Sequence, residues 1–255
     1  MITLTEFKQY LNIVETEFDV QLQGFINKAV AKLNALCNRN FLKADYTENI
    51  SCNYFGNLIY PRNFPVNSVT SIKYFDSSVY TNITAGTLSN SIEILDYYVK
   101  INNLMSVKNK EVQIVYNGGY KFQSGTGKLK LLAGSPNVEG LFGTLFTTEI
   151  AVNDYICFDG LRRKVITVTD NTHIVLSEPV SEDHISVGYS ISNVPEDLQQ
   201  GCRELATKLY NDSSIGNNTL LKSSDSISGQ TSGTSTQYKD LDLKNIISNY
   251  RFQNV

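Results

Sequence analysis

Apolar positions in the first forty residues recur at the three- and four-residue spacing of a helix face. Leu4, Phe7, Tyr10 and Leu11 share one side of a short segment. Thr3 and Glu6 fit a capping box, in which each side chain reaches the other residue's backbone N–H. The spacing predicts a first helix of about two turns. A second start is expected at Thr16, with Glu17 and Asp19 in the first turn, where the helix dipole favours acids. Phe18, Leu22, Phe25, Ile26, Ala29, Val30, Leu33, Leu36 and Cys37 then form a broad apolar stripe. It predicts a core-facing helix of about 20 residues, ending at the polar, turn-prone Asn38-Arg39-Asn40.

From Tyr46 to Tyr120 the period falls to two, and strands are expected over Thr47–Phe55, Gly56–Tyr60, Ser68–Phe75, Ser91–Leu95, Tyr98–Ile101 and Val112–Tyr116. Pro61 and Pro65 bracket a turn, Asn117-Gly118-Gly119 marks another, and Asp76-Ser77-Ser78 reads as a hairpin turn. Residues 124–190 carry seven of the 16 glycines and both histidines. Short strands are predicted there at Gly127–Ala133, Thr144–Phe146, Tyr155–Phe158, Arg163–Val168, His173–Leu176 and Ser186–Ile191. Asp159-Gly160 is a strong hairpin signal between two of them. Such spacing predicts a small all-β module, a barrel or a sandwich.

A helix start follows at Pro195, with Glu196 and Asp197 in the first turn. Leu198, Cys202, Leu205, Ala206, Leu209 and Tyr210 share its apolar face. Residues 211–237 are rich in Ser, Thr, Gly and Asn, and 226–238 carry no charge. That composition builds no core and reads as a flexible arm. The last element, Asp240–Phe252, reads as a short amphipathic helix that docks either on its own domain or on a partner. The expected organisation is α+β. A helical core with a small β element spans 1–123 and 190–255, and an inserted β module spans 124–189.

The 255 residues carry 22 basic and 25 acidic side chains, a net charge of −3. This argues against a broad basic face that grips nucleic acid. Cys37, Cys52, Cys157 and Cys202 form no CxxC pair, and are expected as reduced thiols in the cytoplasm. The N-terminus reads as no signal peptide, and no run approaches 18 apolar residues.

Recognisable chemistry is sparse. The sequence has no GxGxxG, Walker loop, HExxH or GxSxG. His173 follows an Asp170-Asn171-Thr172 turn, and nothing orients it toward Cys157. Asp154 and Asp159 do not form a facing carboxylate pair. Arg162-Arg163-Lys164 is expected as a solvated hairpin face, or otherwise as a contact for phosphate or an acidic partner. No catalytic, metal-binding or cofactor-binding residue is assigned.

Five segments, in order, resemble the head–tail connector (adaptor) proteins of tailed bacteriophages. They are the two opening helices ending in Asn38-Arg39-Asn40-Phe41; Phe64-Pro65-Val66-Asn67-Ser68-Val69-Thr70-Ser71-Ile72-Lys73-Tyr74-Phe75-Asp76; Val112 to Tyr120, with its Gly-Gly-Tyr end; Val194-Pro195-Glu196-Asp197-Leu198; and the polar arm with the closing helix. The resemblance covers roughly 1–123 and 190–255. The 124–190 module is a departure from the pattern, similar to small β domains that decorate other phage structural proteins.

The resemblance implies a non-enzymatic virion protein, assembled in the host cytoplasm and located at the head–tail junction. It implies a twelve-subunit ring below the portal that extends the DNA channel. Its partners would be the portal protein, other copies of the chain, and a tail or next-ring protein. DNA would pass without sequence-specific binding, and no membrane is involved. Tyr238, Leu241, Leu243, Ile246, Ile247, Tyr250 and Phe252 are the expected portal- or neighbour-binding residues. Two other readings stay open. The module could be a receptor- or carbohydrate-binding decoration, favoured by an exposed aromatic platform from Phe146, Tyr155 or Phe158. The chain could also be a hydrolase, favoured by a deep pocket around His173 or His184 with a perturbed carboxylate.

Overall fold

The computed structural model describes residues 1–51, 58–76, 79–82, 92–95, 97–101, 111–213 and 240–252. The chain divides into two compact units, Met1–Cys37 with Phe122–Gln253, and Asn38–Lys121 with Asn254–Val255. Sequence patterning draws the partition elsewhere, around 124–189.

In the first unit, helix α1 (Leu4–Leu11) starts with the expected capping box. The Glu6 N–H donates to Thr3 Oγ1 at 3.1 Å and the Thr3 N–H to Glu6 Oε2 at 2.6 Å. Asn12 closes the helix in the left-handed region at φ 55°, where Asn is tolerated better than most residues. Helix α2 runs Asp19–Cys37, three residues later than expected. Thr16 instead opens a turn whose carbonyl accepts from the Asp19 N–H at 3.2 Å. Lys8 and Asp19, 2.6 Å apart, tie the two helices together. Leu22, Ile26, Ala29, Leu33 and Cys37 of α2 are buried, the expected stripe.

The β region of this unit contains β8 (Phe122–Ser124), β9 (Lys128–Leu131), β10 (Asn137–Leu141), the short helix α3 (Phe146–Glu149), β11 (Tyr155–Phe158), β12 (Leu161–Val168), β13 (His173–Leu176), β14 (His184–Val187) and β15 (Ser190–Ser192). The strands form one antiparallel sheet in the order β14-β9-β10-β13-β12-β11-β15-β8. Leu129, Leu131, Val138, Phe146, Ile156, Val165, Ile174, Leu176 and Ile191 converge in a single cluster, so the sheet curls around its own core. Asp159 and Gly160 take φ of 44° and 74° between the paired Phe158 and Leu161, the two-residue hairpin geometry expected.

Two expectations fail here. Thr144–Phe146 is no strand. The strand lies earlier, at β10, and Phe146 opens α3 with its ring in the core. Ser186–Ile191 is not one strand either. Ser186 sits at φ 63° and the pairing shifts, so β14 joins β9 while β15 joins β11 and β8. Helix α4 (Glu196–Asn211) then buries Leu198, Cys202, Leu205, Ala206 and Tyr210, with Pro195 as its N-cap residue. It packs on α2, with Phe25 and Tyr210 edge to face at 6.1 Å. Helix α5 (Asp240–Tyr250) packs on both α2 and α4.

The second unit holds β1 (Ala44–Ser51), β2 (Leu58–Ile59), β3 (Val66–Asp76), β4 (Val79–Asn82), β5 (Ile92–Ile94), β6 (Val99–Ile101) and β7 (Glu111–Gly118). They form an antiparallel β1-β7-β3-β4 sheet and a smaller β2-β6-β5 sheet. Val112, Ile114 and Tyr116 alternate inward from β7 to meet Val66, Ile72, Ile59 and Val99. Of the expected Asn117-Gly118-Gly119 turn, the first two residues are still strand: β7 continues to Gly118, which pairs with both Ala44 and Val66. A Cβ on Gly118 would strike the Asn63 carbonyl oxygen. The chain turns one residue later, at Gly119 with φ 92°. The Tyr116 hydroxyl donates to Glu48 at 2.5 Å and accepts from the Asn63 N–H at 3.0 Å. Burial and that carboxylate push the phenol far above its ordinary range. Predicted strand residues 52–57, and Ser77-Ser78 of the hairpin, lie outside the described residues.

Candidate partner-docking site

The seven residues expected to bind a portal or neighbour centre on α5. Tyr238 lies outside the described residues, and the side chains of Leu241 and Leu243 do too. Ile246 is buried, 6% exposed, while Ile247 is half-buried. The Tyr250 hydroxyl donates to Asp197 Oδ1 at 2.8 Å. The Phe252 N–H donates to the Cys37 carbonyl at 2.9 Å, a helix-end acceptor that α2 leaves open.

Ile246 reaches α4 because Gly201 gives it room. A Cβ there would stand 2.5 Å from Ile246 Cδ1. Glycine inside a helix costs about 1 kcal/mol against alanine, so its presence in α4 carries a packing reason. The sequence reading places Asp197 only as a first-turn acid and does not single out Gly201. The signal was legible: a lone glycine on the face that Leu198, Cys202 and Leu205 define. In this chain, then, α5 has a seat on its own unit.

The β module's other candidates take structural places. The His184 ring is 6% exposed, its Nδ1 lies 2.9 Å from Asp159 Oδ2, and it meets Phe158 edge-on at 5.2 Å. His173 lies on the surface against Asp170 at 3.0 Å. Hydrogen bonds from the Thr172 N–H and hydroxyl, followed by His173, hold the Asp170 carboxyl down to about 2. Asp154 is buried and its Oδ2 accepts from the Ala151 N–H at 2.8 Å. Burial pushes the Cys157 thiol up to about 12 and the Cys202 thiol up to about 11. Cys157 interacts with Ser190 and Glu6. Among the described residues no cluster of His, Cys, Asp and Glu could hold a metal ion. No described helix is long and apolar enough to cross a membrane.

Arg162 corrects the expectation of a solvated basic face. Its guanidinium lies 3.7 Å over the Tyr155 ring, donates to the Val194 carbonyl at 2.9 Å and pairs with Glu196. Gln9 Nε2 donates to the Asp159 carbonyl at 3.1 Å. The tip of the β11–β12 hairpin therefore latches onto α1 and the start of α4. The aromatic platform is also not formed: Phe146 and Phe158 are core residues, and Arg162 covers Tyr155.

Residues 1–104 match the sequence model of a family described as phage gp6-like head-tail connector protein. No curated protein sequence matches the chain. Two solved structures are distantly similar, one described as the neck of an empty GTA particle computed with C6 symmetry, the other as the virion of a native gene transfer agent particle. They share 15% and 17% identity with the chain, each at a TM-score of 0.34 over 46% of its residues. The chain spans 65% of the length of each of these relatives. The matched 104 residues contain the capped α1, the α2 stripe and the β3 motif strand from which the resemblance was read. Over residues 1–104, then, the chain is similar to the phage gp6-like head-tail connector family.

Proposed function

We propose that the chain is a structural connector of a virion neck: a non-enzymatic ring of twelve copies below the portal that prolongs the DNA channel and joins head to tail. The family match over residues 1–104 carries this reading. A net charge of −3 suits walls past which DNA moves without being held. Attachment falls to α5. Its seat on α2 and α4 includes the buried Ile246 and the hydrogen bonds of Tyr250 and Phe252, and a helix of 11 residues barely holds alone in water. The same apolar face serves on a portal or a neighbouring subunit when α5 leaves its seat.

The segment 124–189 is an insertion in this account. The strands that flank it support that, since β8 and β15 pair with each other, Ser124 opposite Ser190. The module's ends thus meet where its core closes. Deleting the gene from the phage tests the function. Heads filled with DNA but lacking tails, restored by supplying the chain in trans, are the expected result. Tailed, infectious particles without the chain would refute it.

A further inference from the structure

A ring of identical chains joins a patch on one copy to a different patch on the next. The first unit exposes two sets of apolar side chains beside charges of opposite sign. At the α1–α2 turn, Val14 is 86% exposed and Val20 84%. Glu15 and Glu17 stand between them, exposed and in no salt bridge among the described residues, whereas neighbouring Asp19 is taken by Lys8. In the β module, Phe142 is 76% exposed and Leu145 42%. Lys128, opposite Leu141 in the β9–β10 pair, is exposed and in no salt bridge among the described residues. Nearby Lys130 is taken by Glu139.

The module tip is held ready. The Thr144 hydroxyl donates to the Asn171 carbonyl at 2.7 Å, and Thr147 bonds the Asn171 side chain. Phe142 itself sits at φ 59°, a conformation that a bulky side chain adopts only when its surroundings impose it. A ring pushed outward at such a cost has no role in the module's own core.

We infer that these patches are the two halves of a head-to-tail contact between copies of this chain: Phe142 and Leu145, with Lys128, seat against Val14 and Val20, with Glu15 and Glu17, of the next copy. The inference rests on the proposed ring and names the surfaces that close it.

Sedimentation of the purified full chain over a range of concentrations tests it. Phe142→Asn is the informative variant, because Asn tolerates the left-handed region and the fold is kept or strengthened. Val14→Asp blocks the other half. Each alone should weaken self-association about tenfold or more. An equimolar mixture of the two variants should form a 1:1 pair and nothing larger, since one good patch remains on each. Lys128→Glu should weaken association, and Glu15→Lys with Glu17→Lys should restore it. Self-association that neither Phe142→Asn nor Val14→Asp weakens overturns this contact while leaving the ring standing. A wild-type chain that stays monomeric at every concentration and is absent from particles overturns the ring and the contact together.

Discussion

Replacing Ile246 by Asp should release α5 from its seat and leave the rest of the first unit folded. Ile246 is 6% exposed, and burying such a side chain contributes about 1.5–3 kcal/mol. The Tyr250–Asp197 and Phe252–Cys37 hydrogen bonds each add about 0.5–1.5 kcal/mol at most. Ordering a short helix offsets much of this, leaving a net docking free energy of about 1–3 kcal/mol. A carboxylate against Gly201 and its apolar surroundings costs more than that, so detachment is the cheaper response. Cores of α2 and α4, built on Leu22, Ile26, Leu33, Leu198, Cys202 and Leu205, lose nothing by it.

Amide hydrogen exchange read by mass spectrometry resolves the two regions. Wild-type α5 should show protection of about tenfold to a hundredfold, matching that free energy. Ile246→Asp should abolish it, and Ile246→Val should leave an intermediate value, since losing one methyl costs about 0.5–1.5 kcal/mol. Amides of α2 and α4 should exchange as in the wild type throughout. If α5 in Ile246→Asp stays protected, or α2 and α4 open with it, the seat is not a separable contact and the reasoning is wrong.

Replacing residues 125–188 by a short Gly/Ser linker should leave a cooperatively folding protein, seen as a single thermal transition, because β8 and β15 remain a hairpin. A broad, non-cooperative melt would count against an insertion. With Cys52→Ser in place, Cys37, Cys157 and Cys202 are buried and should resist Ellman's reagent at pH 8 until the chain is unfolded. Rapid labelling of native protein would contradict that burial. Gly119→Ala should lower the melting temperature, since φ is 92° and a Cβ would lie 2.7 Å from the Leu42 carbonyl oxygen. An unchanged melting temperature would mean the turn relaxes freely. The Asp170 carboxyl, held at about 2, favours the folded turn at any pH above the ordinary carboxylate range near 4. That contribution disappears as pH falls from about 4 toward 2, and an NMR titration of Asp170 with its midpoint near 4 would refute it.

The sequence was most informative where one local signal had no rival. The Thr3–Glu6 box, the α2 stripe and the Asp159-Gly160 hairpin each depend on residues within one turn or one strand pair. Gly118 misled because glycine suits both a turn and a strand that another backbone approaches. What decided between them was Asn63, far away in sequence. Thr144–Phe146 misled through β-branched and aromatic content, although Phe146 reaches the core just as well from a helical turn. Arg162 looked like surface charge because its partners, Tyr155, Val194 and Glu196, come together only when the hairpin meets α4. The apolar face of α5 was legible, but its seat was less so, since that depends on the absence of a side chain at Gly201.

A cryo-electron microscopy reconstruction of the intact virion neck tests most directly the proposal that this chain joins head to tail. The expected result is a closed ring of this chain between portal and tail, lining the DNA channel, with α5 seated either on its own unit or on the portal or neighbouring copy. Density for the chain on the capsid surface, or at the far end of the tail, would contradict it.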